Sequence, residues 1–166
     1  MSQEANGGIL KTPVTWADFE SQLRSALKTE GRLGANKSLL DIGDGNGLAS
    51  CCGLITCEWV GGAEDEKLPK EAVLKIPSSL PMRRLNNSLP AGQKMFDYDE
   101  DGWEKLQGEM EEVHNVEVAT YRYLTEFEGL AVPIMYYGVP ADIEERSHDG
   151  QICFEYVANS RMMQFH

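Results

Sequence analysis

The stretch SLLDIGDGNGLASCCGLITCEWV, residues 38–60, decides the fold, because two apolar, strand-like runs flank a cluster of glycines. The runs are residues 39–42 and 51–60, and apolar runs separated by a glycine-rich segment are typical of an antiparallel hairpin. The DGNG segment between them also fits the middle of a calcium-binding loop. The two interpretations predict different ligands for the same turn, either phosphate or a cation.

The spacing of oxygen ligands decides against calcium. A loop of the EF-hand type needs an oxygen ligand at its first position, a glycine at the sixth and a glutamate at the twelfth. With Gly47 at the sixth position, the first is Ile42 and the twelfth is Gly53. The acidic segment DYDEDG, residues 97–102, places Gly108 at the twelfth position. We therefore predict no calcium loop, and expect a hairpin turn whose ligand is phosphate.

The remaining periodicities predict a mixed fold. A capping-box pattern predicts a helix over residues 15–30, and apolar residues at spacings of three and four predict a longer helix over about 101–127. Further strands are predicted at 72–76, 131–139 and 151–157, and residues 78–98 are predicted to form a loop. Because the connections after the second helix are too short for parallel crossovers, the order favours the α+β class, with an antiparallel five-stranded sheet and its helices on one side.

Composition and charge exclude several classes of function. The 166 residues suffice for one domain, and the net charge of −12 argues against a nucleic acid and against an anionic membrane surface as partners. No stretch approaches the roughly 20 apolar residues of a membrane span, and the N-terminus lacks the features of a signal peptide. The four cysteines and three histidines lack zinc spacing. We therefore expect a cytoplasmic protein with reduced thiols and no metal site.

Two charged residues stand at positions that the patterns predict to be buried. Lys75 lies inside the apolar strand EAVLKIP, and Glu117 is the only charge on the apolar stripe of the long helix. That stripe consists of Trp103, Leu106, Met110, Val113, Glu117, Thr120, Leu124 and Phe127. A buried, unpaired charge costs several kcal/mol, so we expect these two residues to pair with each other. The two residues form a structural salt bridge, or reach solvent at an edge, or form a phosphate clamp in which the carboxylate orients the lysine.

The order of the motifs carries a family resemblance. The segments LLDIGDGNG, LPKEAVLKIPSSL, HNVEVATYRYL and FEYV resemble the CHK-kinase-like, or ecdysteroid-kinase-like, group of the aminoglycoside-phosphotransferase and choline-kinase superfamily. The resemblance spans residues 15–160, with residues 1–14 as a flexible N-terminus and 161–166 as a tail. It implies the protein-kinase-like N-terminal lobe of an ATP-dependent phosphotransferase that acts on a small hydroxylated molecule. The alternative is a non-catalytic binding module derived from such a lobe.

The resemblance also implies which residues bind the nucleotide. Lys75 would hold the phosphates of ATP, and Glu117 would orient its ammonium group. Gly45, Gly47 and Ser50 belong to the turn at residues 43–50, which would cover the phosphates with backbone N–H groups and the serine hydroxyl. The turn reads G-D-G-N-G and so departs from the G-x-G-x-x-G form of protein kinases.

The end of the chain would supply the adenine edge. In FEYV, the Glu155 carbonyl and the Val157 N–H would meet the adenine, unless this segment is a plain edge strand. The family's catalytic and metal-binding residues lie in a C-terminal lobe, and no H-G-D-like or D-x-D-like segment follows Val157 before the sequence ends at His166. We therefore expect a chain without its C-terminal lobe or catalytic residues, which binds Mg²⁺ with ATP only when that lobe is supplied. The face left uncovered would bind a protein partner or a second copy of the chain.

Overall fold

The computed structural model describes residues 8–43, 47–63 and 66–158. These residues form three α-helices, seven strands and one 3-10 turn at Ile9–Lys11. The helices are α1 (Trp16–Leu27), α2 (Leu80–Ser88) and α3 (Glu100–Leu124). The strands are β1 (Arg32–Leu33), β2 (Ser38–Asp41), β3 (Ser50–Thr56), β4 (Trp59–Val60), β5 (Glu71–Pro77), β6 (Met135–Val139) and β7 (Gln151–Glu155).

Five of the strands form one antiparallel sheet, in the order β2-β3-β5-β7-β6. The α+β class and the five-stranded sheet predicted from the sequence are confirmed. The predicted strand at 51–60 is divided, since β3 ends at Thr56 and β4 pairs with β1 in a separate two-stranded sheet. The break occurs where Cys57 N donates to Lys70 O and the Glu58 carboxylate accepts hydrogen bonds from Asn36.

Helices cover both faces of the sheet, so the expectation of helices on one side was wrong. Successive side chains of a strand point to opposite faces, and β5 shows this directly. Leu74 is fully buried in a cluster with Phe19 and Leu23 of α1, whereas Val73 packs with Val118 of α3. Both faces of the central strands are thus apolar, because each receives a helix. Lys75 shares the α3 face with Val73.

Residues 78–98, predicted to be a loop, contain helix α2. The loop is predicted because the segment is rich in Pro, Gly, Asn and Ser, and Pro81 is one of these residues. It lies in the first turn of α2, where its missing N–H has no intrahelical acceptor to serve. The helix is joined to the segment before α3, since the Asn86 amide exchanges hydrogen bonds of 3.0 Å with the backbone of Phe96. Glycine and asparagine near Pro90 obscured this helix in the sequence.

The N-terminal segment is part of the folded domain from residue 8 onward. Ile9 and Val14, both predicted to be in a flexible terminus, are each 2% exposed and belong to the core cluster under α1. The Thr12 hydroxyl donates to Ile9 O at 2.7 Å, so these two polar groups form a hydrogen bond within the turn. Residues 1–7 and the predicted tail at 161–166 lie outside the described residues.

The buried face of α3 differs from the predicted stripe. Trp103 and Met110 are buried as expected, but the buried positions then continue with Glu111, His114 and Val118. Val113, on the predicted stripe, is 68% exposed. The prediction failed because it counted apolar residues as buried, while Glu111 and His114 are buried polar residues with hydrogen-bond partners. Glu117 is therefore at the edge of the buried face.

Candidate functional site

Lys75 of β5 and Glu117 of α3 form a close ion pair on one face of the sheet. The Lys75 Nζ lies 2.7 Å from Oε1 and 2.6 Å from Oε2 of Glu117, so both carboxylate oxygens accept a hydrogen bond. The two side chains are 30% and 26% exposed. The expected pairing is confirmed, whereas nucleotide binding by the pair stays a prediction.

The position of Glu117 depends on polar contacts that join α3 to the sheet. One turn before Glu117, the His114 Nε2 lies 3.0 Å from Val139 O at the end of β6. Asn115 adds two hydrogen bonds to the backbone of Ala141, of 2.7 Å and 3.0 Å. Burial lowers the pKa of His114, so the ring is neutral and its Nε2–H donates to the carbonyl. These contacts fix the rotation of α3 and hence the direction of the carboxylate.

A second ion pair anchors the first half of α3. Glu111 is 5% exposed, and its carboxylate accepts from Arg146 Nη1 at 3.2 Å and from Gln107 Nε2 at 2.9 Å. Gln107 in turn accepts from Ser79 N at 2.8 Å and donates to Pro77 O at 3.2 Å. The network ties α3 to the end of the strand that carries Lys75. Sequence reasoning missed it, because no spacing links Glu111 to an arginine in a distant loop.

The glycine turn is partly described. Gly45 lies outside the described residues. Gly47 N donates to Gly43 O at 3.2 Å, and Gly43 N donates to Asp41 Oδ1 at 3.0 Å. A Cβ at Gly43 would lie 3.0 Å from Cys52 N, whereas a Cβ at Gly47 would meet nothing within 4 Å. Close backbone packing therefore favours glycine at 43 rather than at 47, which the sequence could not show.

Ser50 begins β3 at the base of the turn. Its side chain is half-buried, and its closest polar contact is Cys52 Sγ at 3.5 Å. Because a thiol is a weak hydrogen-bond partner, this contact leaves the hydroxyl of Ser50 able to donate elsewhere. The register places Cys52 opposite Lys75, so Ser50 and Lys75 are on the same face of the sheet.

A cleft of about 800 Å³ opens between the glycine turn and α2. Gly43, Gly47 and Ser50 line it from the hairpin, and Pro81, Arg84 and Leu85 line it from the helix. Neither Lys75 nor Glu117 is among the residues that line it. The cleft and the ion pair are therefore separate features of this end of the domain.

The predicted adenine-binding residues lie at the end of β7. The Glu155 backbone N–H donates to Ile134 O, and the Glu155 carboxylate accepts from Ile134 N, each at 2.8 Å. Val157 follows the strand in an exposed segment and is 45% exposed. The side chain of Glu155 thus orders the segment before β6, and the predicted contacts of both residues with adenine stay predictions.

Residues 8–43, 47–63 and 66–158 contain neither a cluster of metal ligands nor a membrane-spanning helix. In this part of the chain, no three His, Cys, Asp or Glu side chains are placed to share a metal ion. None of its helices has a stretch both long and apolar enough to cross a membrane. The acidic segment weighed as a calcium loop begins α3, where Asp99 Oδ1 accepts from Gly102 N at 2.9 Å. The carboxylates of this segment stabilise the start of α3, because the N-terminal end of a helix dipole is positive.

Comparison with known proteins gave one family. No curated protein and no solved structure matched the chain. A family model matched residues 2–166; the family is DUF1679, described as "Uncharacterized oxidoreductase dhs-27". This family is related to the CHK/ecdysteroid-kinase-like proteins. Because the match spans nearly the whole sequence, the chain belongs to the DUF1679 family.

Proposed function

We propose that this domain is the nucleotide-binding lobe of an ATP-dependent phosphotransferase that acts on a small hydroxylated molecule. The observation that carries the proposal is the bidentate contact between Lys75 and Glu117, which joins the central strand to the long helix. A strand lysine held by a helix glutamate is the device by which kinases orient the α and β phosphates of ATP. The glycine turn precedes it on the neighbouring hairpin, as that function requires.

The geometry leaves the lysine able to bind a further anion. An ammonium group has three N–H donors, and Glu117 accepts two of them. Since Lys75 is 30% exposed, its third donor has access to solvent and to a ligand. In the described part of the turn, Gly43 N and Gly47 N already donate within the protein. The proposal therefore assigns the phosphate contacts to Lys75 and to the Ser50 hydroxyl.

Magnesium enters the proposal only with a second lobe. Mg²⁺ binds through carboxylates together with the phosphates of the nucleotide. The proposal assigns no metal ligand to this domain, which would hold ATP through Lys75. The metal would neutralise charge on the phosphates, and the resemblance places its ligands in a C-terminal lobe.

The description of the family contains the word oxidoreductase, and that chemistry predicts a different framework. Dinucleotide-dependent oxidoreductases with the common fold bind the cofactor at the carboxyl ends of parallel strands, in βαβ units. Within the described residues, every pair of neighbouring strands is antiparallel. The arrangement therefore favours phosphotransfer from ATP over hydride transfer from a dinucleotide.

A non-catalytic interaction module is the second candidate, and exposed apolar side chains favour it. They cluster in sequence at the end of α3, before β6 and after β7: Tyr123 is 58% exposed, Ile134 59% and Val157 45%. Where such side chains form a contiguous patch, they mark a surface that binds another protein. Sedimentation velocity at rising protein concentration tests the idea, since self-association would increase the sedimentation coefficient and a monomer at all concentrations would argue against a second copy as partner.

Calorimetric titration with ATP and with adenosine tests the nucleotide proposal. A charge-assisted hydrogen bond contributes about 1.5–3 kcal/mol, so Lys75→Met should weaken ATP binding by about 10- to 100-fold. It should leave adenosine binding unchanged, since adenosine has no phosphate. Lys70→Met is the matched control, because Lys70 is an exposed lysine just before the same strand. The proposal fails if the native chain does not bind ATP, or if both variants bind ATP equally well.

A further inference from the structure

The cleft between the glycine turn and α2 is lined in part by four residues of α2 that have no role in the proposed nucleotide site. Its volume of about 800 Å³ is within the range of about 300–1,000 Å³ that is usual for small-molecule pockets. The positions of α2 that line it are Pro81, Arg84, Leu85 and Ser88, which share one face of that helix. One helix face is thus turned toward the hairpin across an open space.

The strand register separates this cleft from the ion pair. Cys52 is paired with Lys75 across β3 and β5, so these two side chains share a face of the sheet. Cys51 and Asp41, which line the cleft, are on strand positions of the opposite face, because side chains alternate along each strand. A ligand in contact with Cys51 and Asp41 would therefore lie across the hairpin from Lys75, and Ser50, which is on the Lys75 face, is the lining residue that the cleft shares with the proposed phosphate contacts.

Two adjacent arginines of α2 differ in their surroundings. Arg83 forms an ion pair with Glu100, and its guanidinium lies 5.4 Å from the centre of the Trp103 ring. Arg84 lines the cleft, and it forms no ion pair with any of the described residues. In a chain with 27 acidic and 15 basic residues, an arginine without a carboxylate partner beside a cleft is a candidate for binding an anion.

The walls of the cleft determine the rest of the ligand. Leu48 and Leu85 line it and are 38% and 36% exposed, so a ligand would remove apolar surface from water. The carboxylate of Asp41 already accepts from Gly43 N at 3.0 Å. Because Arg84 forms no ion pair with the described residues, it can offer its paired N–H groups to a ligand carboxylate in a bidentate contact.

We propose that this cleft binds a small organic carboxylate with an apolar body, whose charged group contacts Arg84 and whose apolar part contacts Leu48 and Leu85. The site is independent of Lys75 and does not rest on the proposed nucleotide function. A single arginine beside apolar walls selects for a ligand that has both a negative charge and an apolar chain. Neither an inorganic anion nor an uncharged alcohol has both properties.

Calorimetric titration with octanoate and with octanol tests the proposal, because the two probes share an apolar chain and differ in charge. Octanoate should bind the native chain at least about 10-fold more tightly than octanol, as expected for one charge-assisted bidentate contact. Arg84→Gln should abolish that difference while leaving octanol unaffected. Arg83→Gln is the matched control and should preserve it. Both arginines are at least partly exposed, so their replacement should not unfold the domain.

Three results would overturn the proposal. They are equal binding of the two probes to the native chain, absence of octanoate binding, and an octanoate affinity of Arg84→Gln equal to that of Arg83→Gln. Lys75→Met should bind octanoate as the native chain does, and ATP should not displace octanoate. Competition between ATP and octanoate would show that the cleft belongs to the nucleotide site, which would also refute an independent carboxylate site.

Discussion

Removal of the Lys75–Glu117 ion pair should destabilise the domain by an amount that the structure constrains. Two unit charges about 4 Å apart interact by about 4 kcal/mol at an effective dielectric constant of 20, and by about 1 kcal/mol in water. The side chains are 30% and 26% exposed, so solvent screens the pair in part. We expect a coupling free energy of about 2 kcal/mol, above the value of about 0–1 kcal/mol for exposed pairs. This coupling free energy should be smaller than the roughly 3–5 kcal/mol that is lost when one partner of a fully buried pair is removed.

A double-mutant cycle measures this coupling directly. Lys75→Met and Glu117→Gln are each expected to lower the free energy of unfolding by about 2–3 kcal/mol, because each leaves a half-buried partner without its counter-charge. The double variant should lose about 2 kcal/mol less than the sum of the two. For a domain of this length, 2 kcal/mol corresponds to a change of about 4–8 °C in the melting temperature.

Urea unfolding followed by tryptophan fluorescence is the assay, since the chain has 3 tryptophans. The slope of the free energy against urea should be the same in all four proteins, so that the midpoints report stability alone. Effects that add to within about 0.5 kcal/mol would show that the two charges are not coupled in solution and would refute the reasoning. Additivity of that kind would also remove the structural support for a phosphate clamp.

Five further substitutions test the packing of the domain and the protonation of His114. Gly150→Ala should cost about 2–3 kcal/mol of unfolding free energy, since a Cβ there would lie 2.6 Å from the His114 ring, whereas Gly47→Ala should cost less than about 1 kcal/mol because its Cβ would meet nothing within 4 Å. Equal urea midpoints for these two variants would contradict the close approach. Phe19→Ala should cost about 3–5 kcal/mol because Phe19 is 0% exposed, while Val113→Ala, at a position 68% exposed, should change stability by less than about 0.5 kcal/mol. A larger loss of stability for Val113→Ala than for Phe19→Ala would contradict the burial of Phe19 and the exposure of Val113. His114 is neutral in the folded domain because burial lowers its pKa from 6.5, so the unfolded chain binds the extra proton below about pH 6.5. Stability should therefore decrease from about pH 7.5 to about pH 5.5 by up to about 1.4 kcal/mol per pH unit below 6.5, and His114→Gln should show a smaller decrease in its urea midpoints. An unchanged pH dependence in that variant would show that His114 binds protons equally in the folded and unfolded states, which would contradict a lowered pKa in the folded domain.

The sequence predicted those features that depend on side-chain periodicity and on the free-energy cost of burying an unpaired charge. Alternation along EAVLKIP placed Lys75 on one face of a central strand, and the cost of an unpaired buried charge predicted its partner 42 positions away. The α+β class followed from the order of the elements and the short final connections. The sequence reasoning failed at α2, because it interpreted a segment rich in Pro, Gly, Asn and Ser as a loop, although a proline is tolerated in a first helical turn.

The sequence also could not show which polar residues would be buried. As a glutamate in an acidic helix, Glu111 would be expected on the surface. It is nevertheless 5% exposed, because its carboxylate accepts hydrogen bonds from Gln107 and Arg146. Arg146 is in a loop whose approach to α3 depends on how β6 and β7 pair. The spacing of residues in the sequence therefore does not predict the contact between Arg146 and Glu111.

By itself, the sequence determined the fold class, the glycine hairpin and the pairing of Lys75 with Glu117, because side-chain period, turn chemistry and desolvation act on neighbouring positions or on few candidates. Only the tertiary structure decided that helices cover both faces of the sheet, that α3 turns Glu111 and His114 inward, and that Arg84 faces a cleft apart from the ion pair. These features depend on the rotation of each helix about its axis, which is set by contacts between distant residues.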